Sequence, residues 1–350
     1  MKENWTYKKL GEIAKISSGK AIPSCEISET LSDGFYPCYG GNGLRGYVDH
    51  YSHVGLTPVI GRVGALCGNV HLPQDKFYAT EHALVVILKT NDKPHFIEYI
   101  LGSLNLRQYA KGVAQPVLSA SSLSDIPIPI PPMEEQERIV AELDLLQSVI
   151  DKKKAQLDEY DKLAQSIFYD MFGDPVDNEK GWEMKKLGEV CLLKAGKAIK
   201  ASELSDNNAP SLYPCYGGNG IRGYINKYSH TESYPIVGRQ GALCGNVNYA
   251  EAPFYATEHA VVAKPIKAID TKWLFFQLKF MRLNQYAHGV AQPGLAVQDL
   301  EPLDCVLPPL SLQQSFAEKI EAIEHQKELV KQSLNEVKTL FDSRMDYYFN

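Results

Sequence analysis

Apolar residues recur at steps of three and four along one stretch of the chain: Ile139, Leu143, Leu146, Ile150, Leu157, Tyr160, Ala164, Ile167 and Met171. Lys153 fills the one missing place. The same register returns as Phe316, Ile320, Ile323, Val330, Leu334, Val337 and Phe341, interrupted by Lys327. Such spacing predicts two long helices with coiled-coil seams, over 133–172 and 310–349. Helices of roughly 40 residues span about 60 Å. Pro132 opens the first, and Glu134, Glu135 and Glu137 suit its N-terminal dipole. Ser311 and Gln314 have capping-box spacing at the start of the second. Neither helix can hide its seam alone, so the two are expected to pair with each other, antiparallel, with the two lysines specifying the pairing.

The rest of the chain carries a different pattern. ALVVIL at Ala83–Leu88 and AVVA at Ala260–Ala263 are short apolar runs expected as buried strands. Gly40–Gly43 and Gly217–Gly220 read as tight turns. The segments from His95 and from Trp273, each ending in Gln-Tyr-Ala, read as helices. These parts are mixed α/β globules.

The two halves repeat. YPCYGGNG starts at Tyr36 and again at Tyr213, 177 residues later. GALCGN, FYATEHA, GVAQP and KLGE keep the same offset. In a chain of 350 residues this is one duplicated unit, a pseudo-dimer, rather than a solenoid. The division is therefore 1–132 globule, 133–174 helix, 175–309 globule and 310–350 helix. The fold class is α/β (α+β): two similar mixed globules separated by a long antiparallel two-helix coiled coil, with an internal pseudo-two-fold.

Charge separates the parts. The net charge is −6. Residues 133–174 hold 5 Lys+Arg against 11 Asp+Glu, and 310–350 hold 5 against 7. The globules are each +1, with 12 against 11 and 14 against 13, and are free to carry a basic face. The acidic helices would repel phosphate and suit spacing and protein contact. No apolar run approaches a membrane span, and the start lacks the apolar core of a signal peptide. Seven scattered cysteines, with no Cys-x-x-Cys pair, favour a reduced cytoplasm over a disulfide framework.

Catalytic signatures are missing. SSGKAI at Ser17 lacks the earlier glycine of a phosphate loop. Glu81-His82 and Glu258-His259 lack the second histidine of a zinc-protease motif. Cys38, Cys67 and His82 recur as Cys215, Cys244 and His259, and are read as buried thiols with core histidines rather than a metal site. Neither the Asn/Asp-Pro-Pro-Tyr/Phe tetrad of an amino-methyltransferase nor a nuclease carboxylate cluster is found. No catalytic and no metal residue is expected.

What recurs suits recognition. Asn42, Arg45 and Tyr47 match Asn219, Arg222 and Tyr224; Arg62 matches Arg239; Gln115 matches Gln292. Arg, Asn and Gln pair donors and acceptors with base edges, and Arg also holds phosphate. Tyr36, Tyr39 and Tyr78 are read as fold-building, and Glu81 as one side of an internal salt bridge. The copies differ at Val63/Gln240, Lys111/His288 and Val117/Gly294, which flank shared motifs where they can tune single bases.

The order W-x-x-KKLGE, YGGNGxRGY, GRxGALCGN, G-x-x-QP, PIPPMEEQERI and FYDMFGDP, followed by a second copy, resembles the DNA-specificity subunit of type I restriction–modification systems. The resemblance covers essentially the whole chain. It implies two target recognition domains, each reading half of a bipartite DNA site, and two helices acting as a ruler for the spacer. It implies two methyltransferase subunits with S-adenosylmethionine for adenine-N6 methylation, and restriction subunits with ATP and Mg2+ for cleavage. This chain would hold no cofactor. The chain is short for the family and its copies are unusually alike, which implies two related half-sites in inverted orientation. DNA contacts are expected from Asn42, Arg45, Tyr47, Arg62, Lys111, Gln115, Asn219, Arg222, Tyr224, Arg239, His288 and Gln292. A stand-alone two-headed DNA-binding protein, a self-sufficient nuclease or methyltransferase, and a protein-binding coiled-coil scaffold are the competing readings.

Overall fold

The two copies fold the same elements in the same order. The computed structural model describes residues 4–350 apart from 113–115, 242, 267 and 290–292. Two units form: Met1–Lys153 with Ser333–Asn350, and Lys154–Gln332. Each unit thus takes one globule and part of both long helices, which the sequence-based division sets apart as separate segments.

The first copy runs β1 (Thr6–Lys9), α1 (Leu10–Ile13), β2 (Ala14–Ser18), β3 (Tyr36–Gly40), β4 (Gly43–Val48), β5 (Val59–Gly61), β6 (Val70–His71), β7 (Tyr78–Ala79) and β8 (Ala83–Leu88). It continues through α2 (Pro94–Ser103), α3 (Ala120–Ser124), β9 (Pro127–Ile130) and α4 (Met133–Phe172). One antiparallel sheet has the order β2-β8-β5-β6. A second has the order β4-β3-β7, with β3 antiparallel to β4 and parallel to β7. β1 pairs with β9, which brings the start and end of the globule together beside the first turn of α4. Leu10 of α1, Ile60 and Leu84 of the first sheet, Phe96 and Ile97 of α2 and Ile128 of β9 form a core that is essentially inaccessible to water.

The second copy runs β10 (Glu183–Lys186), α5 (Leu187–Val190), β11 (Cys191–Ala195), β12 (Tyr213–Gly217), β13 (Gly220–Ile225), β14 (Tyr234–Gly238), β15 (Val247–Ala250), β16 (Tyr255–Ala256) and β17 (Ala260–Pro265). It ends in α6 (Thr271–Phe280), α7 (Val297–Leu300), β18 (Asp304–Leu307) and α8 (Leu310–Phe349). Its sheets repeat the first copy's order: β11-β17-β14-β15, β13-β12-β16 and β10-β18. The helices expected from His95 and Trp273 each break into an α-helix and a 3-10 turn, at 106–109 and 283–286. Arg282, in the left-handed region with φ of 54°, makes the second break.

Both 40-residue helices form over the predicted ranges. Within each unit they run antiparallel. In the first, Arg138 donates to the Tyr348 hydroxyl at 3.2 Å and Arg344 meets Glu142 at 2.7 Å. In the second, Phe168 packs on Phe316 and Lys327 reaches Asp161 at 2.5 Å. The seam lysine of α8 is therefore an ion-pair partner at the edge of the seam.

The seam itself needs one correction. Toward the end of α4, Ala164, Phe168 and Phe172 are buried, whereas Ile167 and Met171 are only half-buried. Steps of four replace the alternation of three and four, because this stretch packs on α6 as well as on α8. Phe168 meets Phe280 and Phe316 with ring centroids 5.0 and 5.6 Å apart. At the end of α8, Tyr348 is likewise buried in the first unit's core. A stripe that serves two neighbours is wider than a coiled-coil seam.

The helix starts also differ from expectation. Ser311 lies inside α8, at its second residue, and so is not the cap. Instead a buried glutamine ties each helix to its globule. The Gln136 amide donates to Asp92 at 2.7 Å and to the Pro131 carbonyl at 3.1 Å, and accepts from the Lys93 N–H at 3.0 Å. Gln313 donates to the Pro308 carbonyl at 2.8 Å and accepts from the Asp270 N–H at 2.9 Å. Both are 1% exposed, and a buried amide needs these partners.

Candidate nucleic-acid interface

In each unit a two-residue turn, Gly41-Asn42 or Gly218-Asn219, joins the hairpin β3–β4 or β12–β13. Gly43 has φ of 86°, and a Cβ there would stand 2.7 Å from the His71 ring, so only glycine serves. The turn lies over the end of the neighbouring strand. A Cβ on Gly61 would sit 2.2 Å from the Gly41 carbonyl oxygen, and one on Gly238 would sit 2.0 Å from that of Gly218. Two bare backbones in contact fix the hairpin against the loop that follows.

The result is an open cleft beside each hairpin. The first has a volume of about 610 Å³ and is lined by Asn42, Leu44, Arg45, Val63, Leu66 and His82 among others. The second, about 480 Å³, is lined by Asn219, Ile221, Arg222, Gln240 and His259 with the turn glycines. The same register irregularity, after Cys38 and after Cys215, re-aims both hairpins.

The predicted residues divide between this surface and its supports. Arg45 is exposed, with one guanidinium nitrogen donating to the Ser24 hydroxyl at 2.8 Å. Arg222 is exposed and makes no hydrogen bond or ion pair among the described residues; Ala201 stands where Ser24 stands in the first copy. Asn42 is exposed at the turn, and Asn219 accepts from Asn246 at 3.0 Å. Tyr47 and Tyr224 are half-buried, and their backbones pair with Ser28 and Ser205.

Arg62 faces inward instead. Its guanidinium donates to the carbonyls of Leu118 at 3.2 Å and Glu81 at 3.3 Å and to the Ser18 hydroxyl at 3.3 Å. Arg239 donates to the Glu258 carbonyl at 3.5 Å. Both arginines thereby brace the loops behind the clefts. Lys111 is exposed, and His288 is exposed with its Nε2 3.3 Å from Asp299. Gln115 and Gln292 lie outside the described residues.

The histidines overturn one sequence reading. His82 and His259 are not core residues; they line the clefts with side chains half exposed. Each sits beside its preceding glutamate, at 3.2 Å in the first copy and 3.3 Å in the second. Their recurrence at the repeat offset was the signal available, but nothing in the sequence shows which side of a strand end a side chain takes. Cys38, Cys67, Cys215 and Cys244 are buried as expected, and burial pushes the Cys38 thiol up to about 11. Among the described residues no group of three His, Cys, Asp or Glu side chains is placed to hold a metal ion. Among the described residues no helix is long and apolar enough to cross a membrane.

The exposed groups of the clefts are donors, acceptors and aliphatic carbons on glycine-bracketed loops. Such a set reads base edges and methyl groups while its cation holds phosphate.

A family model described as the type I restriction modification DNA specificity domain matches residues 2–159 and 179–339. The type I restriction enzyme EcoprrI specificity subunit of Escherichia coli is 46% identical over 138 residues, 39% of this chain and 34% of that protein. The type I restriction enzyme MjaIX specificity subunit of Methanocaldococcus jannaschii is 22% identical over 370 aligned positions, 90% of this chain and 85% of that protein. The crystal structure of the type I restriction–modification S subunit from M. genitalium has the same fold, with a TM-score of 0.64 at 18% identity over 98% of this chain and 95% of that one.

Proposed function

The chain belongs to the type I restriction–modification DNA specificity family, and on that premise we propose that each of its units reads one half of a bipartite double-stranded DNA site. The family's work is DNA recognition and not catalysis. The observation that carries the proposal is the cleft built twice, with Asn42, Arg45 and His82 in one unit and Asn219, Arg222 and His259 in the other. Clefts with the same Asn, Arg and His read similar bases, so the two half-sites are closely related and inverted, a near-palindrome with a gap.

The remaining parts have matching roles. α4 and α8 set the unread spacer and dock two methyltransferase subunits, since helices this acidic suit proteins better than phosphates. Those subunits bring S-adenosylmethionine and methylate adenine at N6. Restriction subunits bring ATP and Mg2+ and cut the DNA. The chain works in the cytoplasm, where the genome is, and supplies the address.

The test is co-expression with the methyltransferase of the same locus, followed by mapping of methylated adenines across genomic DNA. The expected result is one gapped motif with a methylated adenine on each strand. Methylation that is unchanged when this chain is deleted would overturn the proposal.

A further inference from the structure

The clefts are nearly the same object twice. Their polar lining pairs off residue for residue: Asn42 with Asn219, Arg45 with Arg222, His82 with His259. Leu44 and Ile221 exchange one aliphatic side chain for another. One lining position changes its chemistry: Val63 in the first cleft, Gln240 in the second.

The surroundings of that position change with it. Val63 bridges Val117, and Val117 bridges Lys111. In the second unit Gln240 bridges Gly294, and Gly294 bridges His288. Three substitutions that are far apart in sequence therefore meet in one small stack. Valine against valine is an apolar cross-strand pair that holds the Val63 methyls in place. Glycine opposite Gln240 leaves that side chain unopposed. Gln240 is exposed and makes no hydrogen bond among the described residues, so its amide is free for a ligand.

We infer that position 63 in the first unit and position 240 in the second set the base pair at which the two half-sites differ. A valine offers only methyl groups, which suit the 5-methyl of thymine. A glutamine amide offers a donor and an acceptor, which match N7 and N6 of adenine in the major groove. The first unit's half-site carries thymine at this place and the second unit's carries adenine on the corresponding strand. The rest of the two half-sites is shared, because the other polar lining residues are the same in both clefts. The inference rests on the specificity reading above and deepens it.

The experiment uses the full chain with its methyltransferase partner and maps methylated adenines for the wild type, Val63→Gln and Gln240→Val. A third variant combines Val63→Gln with Lys111→His and Val117→Gly, which restores the second unit's stack around the new amide. Expected for the wild type is a gapped motif whose halves differ at one base pair. The triple variant makes the halves identical and the motif a true palindrome. Gln240→Val, which only removes the amide, lowers discrimination for adenine at that place by about tenfold or more and leaves the other bases unchanged. An unchanged motif in both the triple variant and Gln240→Val overturns the inference while leaving the specificity reading intact. So does a change in several bases of either half-site. Should the wild type direct no methylation, the specificity reading falls, and this inference with it.

Discussion

At the scale of single residues, the two kinds of arginine separate by what they touch. Arg222 is exposed and unpaired among the described residues, while Arg62 is committed to two carbonyls and a hydroxyl. Substituting Arg222 with alanine is expected to leave the melting temperature unchanged, weaken DNA binding, and lower the slope of log affinity against log salt by about one. Arg62→Ala is expected to cost about 1–3 kcal/mol of stability, because it strands acceptors that a charged donor now satisfies. Binding titrations across salt, with thermal unfolding of the same proteins, check both. Gly61→Ala forces its Cβ into the Gly41 carbonyl, where the atoms would be 2.2 Å apart. The expected loss is about 1–3 kcal/mol, seen in denaturant unfolding, because two backbones must separate.

At the scale of elements, the copies diverge where α2 and α6 pack. Tyr99 on α2 donates to Asp144 of α4 at 2.6 Å, and Glu98 lies half-buried beside the same carboxylate. Burial first, and then the charge of Asp144, push the Glu98 carboxyl from its ordinary 4.5 up to about 7. The second copy has Phe275 and Phe276 at these places and no such titration. The folded state holds a proton between those two values that the unfolded chain has released. Stability from Glu98 is thus full below pH 4.5 and is lost as pH rises toward 7. The first unit's thermal midpoint should fall from pH 5 to pH 8 more steeply in the wild type than in Glu98→Gln. Parallel curves for the two proteins would contradict this. Losing the amide of Gln313 should cost about 1–3 kcal/mol, as Gln313→Leu measured by unfolding, since it strands the Pro308 carbonyl and the Asp270 N–H.

At the scale of the whole molecule, the long helices carry the proposed spacing. A heptad inserted into both α4 and α8 adds about 10 Å of helix, or about three base pairs of DNA. Methylation mapping should then show the same half-sites with a spacer about three base pairs longer. Altered half-sites with the old spacer would count against the helices as the ruler.

Much of this was legible along the chain, because it depends on periodicity and on repetition. The 177-residue offset defines two copies whatever their fold, and the three-four alternation defines α4 and α8 to within their ends. Glycine tracts mark the Gly41-Asn42 and Gly218-Asn219 turns, since few other residues take positive φ. The pairing of residues far apart in sequence was not legible. The identity of Arg62 suggested a ligand, yet its neighbours Leu118, Glu81 and Ser18 make it a brace. The seam of α4 shifted to Phe168 and Phe172 because it also meets α6, a neighbour that the helix's own pattern does not name. Val63, Lys111 and Val117 met in one stack only once strand bridges had brought them together. The two long helices, the glycine turns, the buried runs of β8 and β17 and the duplication follow from the sequence alone, because they depend on local sterics and hydrophobic spacing. Which side chains face the clefts follows only from the packed chain, because burial depends on contacts between distant segments.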